Sequence, residues 1–143
     1  MTAQGLEGID HSVHLTHEWV NELADRLDYA SHRSALRLMR VVLHRVRDHL
    51  MVNEVAQLSA QLPLLIRGFF FEGWVPKLTP IKERHAEDFV AFIRTQMRET
   101  DEYRGRDDIT CVFDLINARI SRGEVEDVRA SLPADLRALW PVP

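Results

Sequence analysis

The chain holds one cysteine, Cys111. A disulfide framework needs at least a pair, and a cysteine-rich zinc site needs more, so both are excluded. No apolar run approaches the roughly 20 residues that cross a bilayer. The stretch from Met1 to Asp10 carries acidic residues and no apolar core segment, so it does not read as a signal peptide. The expectation is a soluble, intracellular, cytoplasmic protein with no membrane contact. Basic charge is not in excess: the formal net charge is −4, which argues against the whole chain being a polyanion binder. No segment alternates with period two over a convincing length, and no hairpin dipeptide occurs. A Walker loop, a dinucleotide fingerprint, Gly-x-Ser-x-Gly and His-Glu-x-x-His are all missing. Their absence weakens an enzymatic reading without removing it, because distant residues can assemble an active site. No cofactor is expected.

What remains is globular. With 143 residues, 45% of them hydrophobic, the chain can bury a real core as one domain over residues 1–143. Shifted by 70 positions, the sequence matches itself without a gap. Trp19 then meets Phe89, Leu23 meets Ile93, Val42 meets Val112 and Val46 meets Ile116. Glu54-Val55 meets Glu124-Val125, Leu62-Pro63 meets Leu132-Pro133, Arg67 meets Arg137, and Phe70 meets Trp140. Two helical patterns can coincide by chance, but the ungapped Glu-Val and Leu-Pro pairs speak for a tandem repeat. The copies cover about 10–73 and 80–141, with a joint at Gly73 to Pro80.

Each copy reads as four helices. The first spans about Thr16 to Asp28, with Trp19, Val20, Leu23 and Leu27 on one stripe. The second spans about Ser31 to Leu50, striped by Leu36, Met39, Leu43, Val46 and Leu50. The third is short, Val52 to Gln61. Its counterpart opens with Ser121-x-x-Glu124, a capping box in which the Ser hydroxyl accepts from one free N–H and the Glu reaches back to another. Met51 stands where Ser121 does, so the first copy's cap is weaker. The fourth helix starts at Pro63, and its counterpart at Pro133. Thr79-Pro80 reads as the start of the next helix, and Asp101 to Asp108 as a polar loop. The fold class is all-α: a duplicated four-helix unit packed as one helical bundle.

Four features can carry function. Arg33, Arg37, Arg40, His44 and Arg47 fall within an arc of roughly 80° on the second helix and make a basic ridge. It is either an anion or partner site, or a solvated face paired with Glu18, Glu22, Asp25 or Asp28. The equivalent residues Tyr103, Asp107, Thr110, Asp114 and Asn117 have lost the basic charge. Phe69, Phe70, Phe71 and Trp74 crowd a short helix that is apolar almost all round. It is either buried between the two copies or leaves an aromatic face open for a partner. Glu72 among them is expected to reach solvent or a nearby Arg. His11, His14 and His17 are weak metal-ligand candidates, since three imidazoles at this spacing drift around a regular helix. The repeated Arg67, Arg137, Glu54 and Glu124 are candidate polar groups of a cleft between the copies. Cys111 lacks a local base and reads as a small buried hydrophobe.

Ala35-Leu36-Arg37, Val42-Leu43-His44, Gln57 to Pro63, Ile66-Arg67-Gly68 and Phe70-Phe71-Glu72-Gly73-Trp74 together resemble a bacterial family catalogued as domain of unknown function 2267. Gly123 to Val128, Leu132-Pro133 and Leu139-Trp140 extend the likeness over about residues 10 to 141. Met51-Val52-Asn53 departs from that family's proline- and acid-rich pattern. The resemblance implies an all-helical protein and brings no activity, substrate or catalytic residue. The leading expectation is therefore an interaction or regulatory module with an unidentified protein partner, or a homodimer. Nucleic-acid binding through the ridge and a small-ligand or enzymatic cleft between the copies stay open as alternatives.

Overall fold

The computed structural model describes residues 5–143, and within them the chain forms eight α-helices and no strand. The first, α1, spans Glu7–Leu27 and so begins nine residues before the expected start at Thr16. The Thr16 hydroxyl donates to the Ser12 carbonyl at 2.8 Å inside the continuous helix. His11, His14 and His17 interrupt the apolar pattern there, which hides the early turns from periodicity. The helix stops where Asp28 turns left-handed at φ 57°, a conformation Asp tolerates, and the Tyr29 N–H closes back on the Ala24 carbonyl.

Helix α2 spans His32–Asp48 behind an Ser31 N-cap, whose hydroxyl accepts from the Ser34 N–H. The Glu102 carboxylate accepts from the Ala30 and Ser31 N–H groups at 2.7 and 3.0 Å, so a loop from the second half also caps this end. Helices α3 (Val52–Ala60) and α4 (Leu64–Phe71) meet at Pro63, which serves as the N-cap of α4. A 3₁₀ turn, Pro76–Leu78, follows the left-handed Gly73.

The segment after Pro80 is extended, and α5 begins only at Ala86, running to Gln96. This corrects the expected helix start at Thr79-Pro80. The reason is that α2 captures the segment. The Ile81 N–H donates to the Asp48 carbonyl, and Glu83 is held by Arg45 and His49. Helices α6 (Arg106–Arg119), α7 (Arg122–Ser131) and α8 (Ala134–Arg137) complete the chain. The starts of α3 and α7, Val52 and Arg122, and those of α4 and α8, Leu64 and Ala134, keep the 70-residue interval.

The expected capping box at α7 is half made. Ser121 Oγ accepts from the Glu124 N–H, but the Ser121 N–H donates to Gln61 Oε1 rather than to Glu124. At α3 the other half appears: the Met51 N–H donates to Glu54, while the Met51 side chain offers no oxygen to accept. Gln61 lies close enough to answer the donor first.

The helices interlock across the midpoint of the chain. Helix α1 packs on α2, α4 and α6, while α2 also meets α5 and α6, and α3 meets α7. The buried side chains form one apolar cluster that includes Leu23 and Ile93, Val55 and Val125, Phe70 and Trp140. Trp140 stacks on Phe113 with ring centroids 4.4 Å apart, and its indole N–H donates to Asn117.

Candidate functional site

The basic residues of α2 do not make one free ridge. Arg47 is buried at 4% exposure. Its Nη1 donates to the Phe70 carbonyl at 2.8 Å and the Glu72 carbonyl at 2.7 Å, and its Nε meets Asp48 at 2.9 Å. His44 Nε2 donates to the Phe69 carbonyl at 2.6 Å. These carbonyls stand at the C-terminal end of α4, where cationic and N–H donors are favoured; that of Phe69 also accepts from the Glu72 N–H. Arg37 donates to the Gln96 carbonyl at the end of α5, and Arg40 pairs with Glu72 at 2.6 Å while lying over the Phe69 ring. Most of the ridge is therefore spent closing helix ends. Two of the four expected partners of the solvated reading are engaged elsewhere: Glu22 binds Arg26 and Arg119, and Glu18 meets His14 and Arg119, while Asp25 and Asp28 make no ion pair among the described residues. Arg33 is exposed and makes no ion pair among the described residues.

A hollow of about 530 Å³ lies between the start of α2 and the α5–α6 loop. Arg33, Arg37 and Arg40 line one wall, and Glu99, Asp101 and Glu102 line the other. The carboxylates offset the guanidiniums, so the hollow has no concentrated field for a phosphate. Burial pushes the His44 pKa below its ordinary value. Arg47 and Arg40 push the same way, against the Phe69 carbonyl and Glu72.

The structure brings Glu54 and Glu124 together but separates them from Arg67 and Arg137. The two glutamates line a hollow of about 310 Å³ between α3 and α7, with Gln57, Asp127 and Ser131. Ser131 Oγ donates to the Glu54 carboxylate. Burial raises the Glu124 pKa, with help from Asp127 and Glu54. Arg67 and Arg137 instead brace the two helix corners, and in the same way. Arg67 donates to the Ser59 and Leu62 carbonyls, and Arg137 to those of Arg129 and Leu132, positions 70 apart.

The aromatic run also divides. Phe70 is fully buried, while Phe69, Phe71 and Trp74 are half-buried, with Phe71 edge-on to Phe70 and 5.5 Å from Trp74. Helix α4 packs on α1, α2 and α3, all of the N-terminal half, which corrects the expectation that it is buried between the copies. Its connection to α3 is too short for it to reach across. Nor is it covered on every side: Leu64 is 62% exposed and Leu65 39%. His11, His14 and His17 stand exposed on regular helical turns, and among the described residues no group of three metal-ligating side chains is arranged to hold an ion. Cys111 is half-buried rather than buried, with Sγ 3.6 Å from the Arg26 carbonyl, and burial raises its thiol pKa.

Two polar clusters escaped the sequence reading. Asp108, 1% exposed, accepts from the Tyr29 hydroxyl at 2.7 Å and the Arg104 N–H at 2.8 Å. Its signal was available: the 70-residue shift sets Asp108 against Leu38, an acid at an apolar position. Burial, then the bond to Asp108, raises the Tyr29 pKa well above its ordinary value. The second cluster is Arg45, His49 and Glu83. Arg45 binds Glu83 at 2.6 Å and lies 3.8 Å from the Phe92 ring centroid, and His49 Nε2 meets Glu83 at 3.0 Å. Burial opposes ionisation of Glu83, but Arg45 and His49 outweigh it and hold the carboxyl below its usual range. Burial lowers the His49 pKa despite Glu83. No periodicity links Glu83 to α2, so nothing in the sequence pairs them.

No curated protein matches the chain. The family model described as "Uncharacterized conserved protein (DUF2267)" matches residues 16–139. That span is most of the molecule, and the chain belongs to the DUF2267 family.

Proposed function

We propose that this chain is a small helical protein-interaction module. One observation carries the reading: α4 is apolar almost all round, yet its outer side is uncovered. Leu64 and Leu65 are exposed there, beside an α1 whose first turns expose Leu6 and Ile9. An apolar surface of this kind on a small protein marks a contact site more often than a solvated one. The contact face is thus the leucine side of α4 rather than the aromatic run, in which Phe70 is buried and Phe69, Phe71 and Trp74 are half-buried.

The same reading takes the chain as a tandem duplication of a four-helix unit, folded as one domain, in a bacterial cytoplasm. The repeated corner bonds of Arg67 and Arg137 and the matched helix starts support the duplication. The acidic wall opposite Arg33 and Arg37 weighs against nucleic acid as the ligand.

A photo-crosslinking amino acid at position 64, compared with one at Glu126 on α7, tests the proposal in cells. The expected result is protein adducts from position 64 and none of the same species from 126. Identical adducts from both positions, or none from 64, would overturn it. Nucleic-acid adducts from position 33 would transfer the function to α2.

A further inference from the structure

The first turns of α1 overshoot the core. Taking 100° per residue, Ile9 lies on the stripe that buries Val20, Leu23 and Leu27, yet it is 57% exposed. Leu6, the N-cap residue, is 58% exposed. Just below the overhang lies the outer side of α4, with Leu64, Leu65 and the exposed Gly68, at which an added Cβ would meet nothing within 4 Å. The two parts touch directly: the Leu65 N–H donates to the buried Ser12 hydroxyl at 3.2 Å. The family match begins at residue 16, so the overhang belongs to this chain beyond the matched region.

From this we infer that the occupant of the face is a second copy of this chain, in a two-fold dimer. The inference rests on the interaction reading above. The exposed Leu6 and Ile9 act as a knob, and the exposed Leu64, Leu65 and Gly68 as a shelf. Knob and shelf adjoin on one molecule. A two-fold axis beside Ser12 and Leu65 sets the knob of each copy on the shelf of the other, so one patch meets itself. The exposed fractions amount to about two whole leucine-sized side chains per copy, on the order of 400 Å² of apolar surface. That is about half of the roughly 800 Å² per partner that a specific interface buries, near the apolar share such interfaces have. Closed two-fold pairing also leaves no apolar surface to propagate a filament.

Sedimentation velocity from about 1 to 200 µM reads the state directly. The wild-type chain is expected at twice 16.6 kDa in the upper part of that range. Leu64→Glu and Ile9→Glu, each with an unchanged circular dichroism spectrum, are expected to weaken the dimer at least tenfold. Leu78→Glu on the 3₁₀ turn, equally exposed, is expected to leave it intact. In a Cys111→Ala background, Ile9→Cys chains mixed with Leu64→Cys chains are expected to form the mixed disulfide under mild oxidation. A mass of 16.6 kDa throughout, or a dimer untouched by both glutamates, overturns the inference. If the chain is monomeric and position 64 still crosslinks another protein, the interaction module stands and only the second copy is wrong. If neither occurs, both fall.

Discussion

Replacing Arg47 by Met separates a structural cap from a functional ridge. The methionine keeps most of the aliphatic stem's packing and removes the guanidinium. Two carbonyls, those of Phe70 and Glu72, then lose a shared donor at 2.8 and 2.7 Å, and Asp48 loses its ion pair. A buried acceptor left unpaired costs about 1–3 kcal/mol; the Phe70 bond is buried and the Glu72 bond only partly so, which trims the sum for the two to about 2–5 kcal/mol. Native proteins have a total stability of about 5–15 kcal/mol, so the loss is a large share. At roughly 2–4 °C per kcal/mol, the melting temperature drops by about 4–20 °C. Urea unfolding followed by tryptophan fluorescence measures the effect. Arg33→Gln, at an exposed site on the same helix, is expected to stay within about 0.5 kcal/mol. Because Arg47 is buried, the difference between the two variants persists at 1 M salt, where a surface ion pair is screened. A cost for Arg47→Met below about 1 kcal/mol, or no larger than that of Arg33→Gln, would refute the assignment of Arg47 as a cap.

The pKa values of His44 and His49 are lowered in the fold, so the unfolded chain takes up those protons first, near pH 6.5. Stability is therefore full above that pH and falls below it, by up to about 1.4 kcal/mol per pH unit for each histidine; equal urea midpoints at pH 7.5 and 5.5 would contradict this. Asp108→Ala leaves the Tyr29 hydroxyl and the Arg104 N–H without their acceptor and is expected to cost about 2–4 kcal/mol. Tyr29→Phe made on top of it should add little, and full additivity in the double-mutant cycle would count against the pairing. Trp140→Ala removes the stack on Phe113 and is expected to cost about 3–5 kcal/mol by thermal unfolding, with a change below 1 kcal/mol arguing that the C-terminal turn is loosely held.

The helices were legible because their apolar residues recur at helical spacing and their ends carry Ser31, Pro63, Ser121 and Pro133. Burial reports only one side of each side chain, so it located Val42, Val46 and Leu43 without showing what the opposite face touches. That is why Arg47 was grouped with Arg33. Both are basic residues off the apolar stripe, but only Arg47 faces the carbonyls at the end of α4. The early turns of α1 were missed for a related reason: the three histidines interrupt the stripe that Ile9 continues, and the fastening of this end to α4 through Ser12 is tertiary. The path of residues 80–85 depends on Glu83 reaching Arg45 and His49, a contact between segments more than 30 residues apart.

The charge contrast between the halves has a structural cause that does not require a ligand. Arg47 and Asn117 stand 70 positions apart and do the same task. Each fastens the chain as it leaves the short helix of its half: Arg47 through the Phe70 and Glu72 carbonyls, Asn117 through the Pro141 carbonyl and the Trp140 indole. In the N-terminal half the exit carries Phe70, which offers no polar edge, so a long cation must span to the backbone. In the C-terminal half Trp140 supplies an N–H of its own, and a short amide suffices. Arg40 follows from the same difference, since Glu72 sits at the exit of α4 and pairs with it, while Val142 holds the matching place after Trp140. A basic α2 and a less basic α6 are then two solutions to one packing problem, and the charge of α2 is not by itself evidence of a polyanion partner. The uncovered leucines are different in kind: Leu64 and Leu65 solve no problem inside the chain, and exposing them to water costs stability that a bound surface would recover.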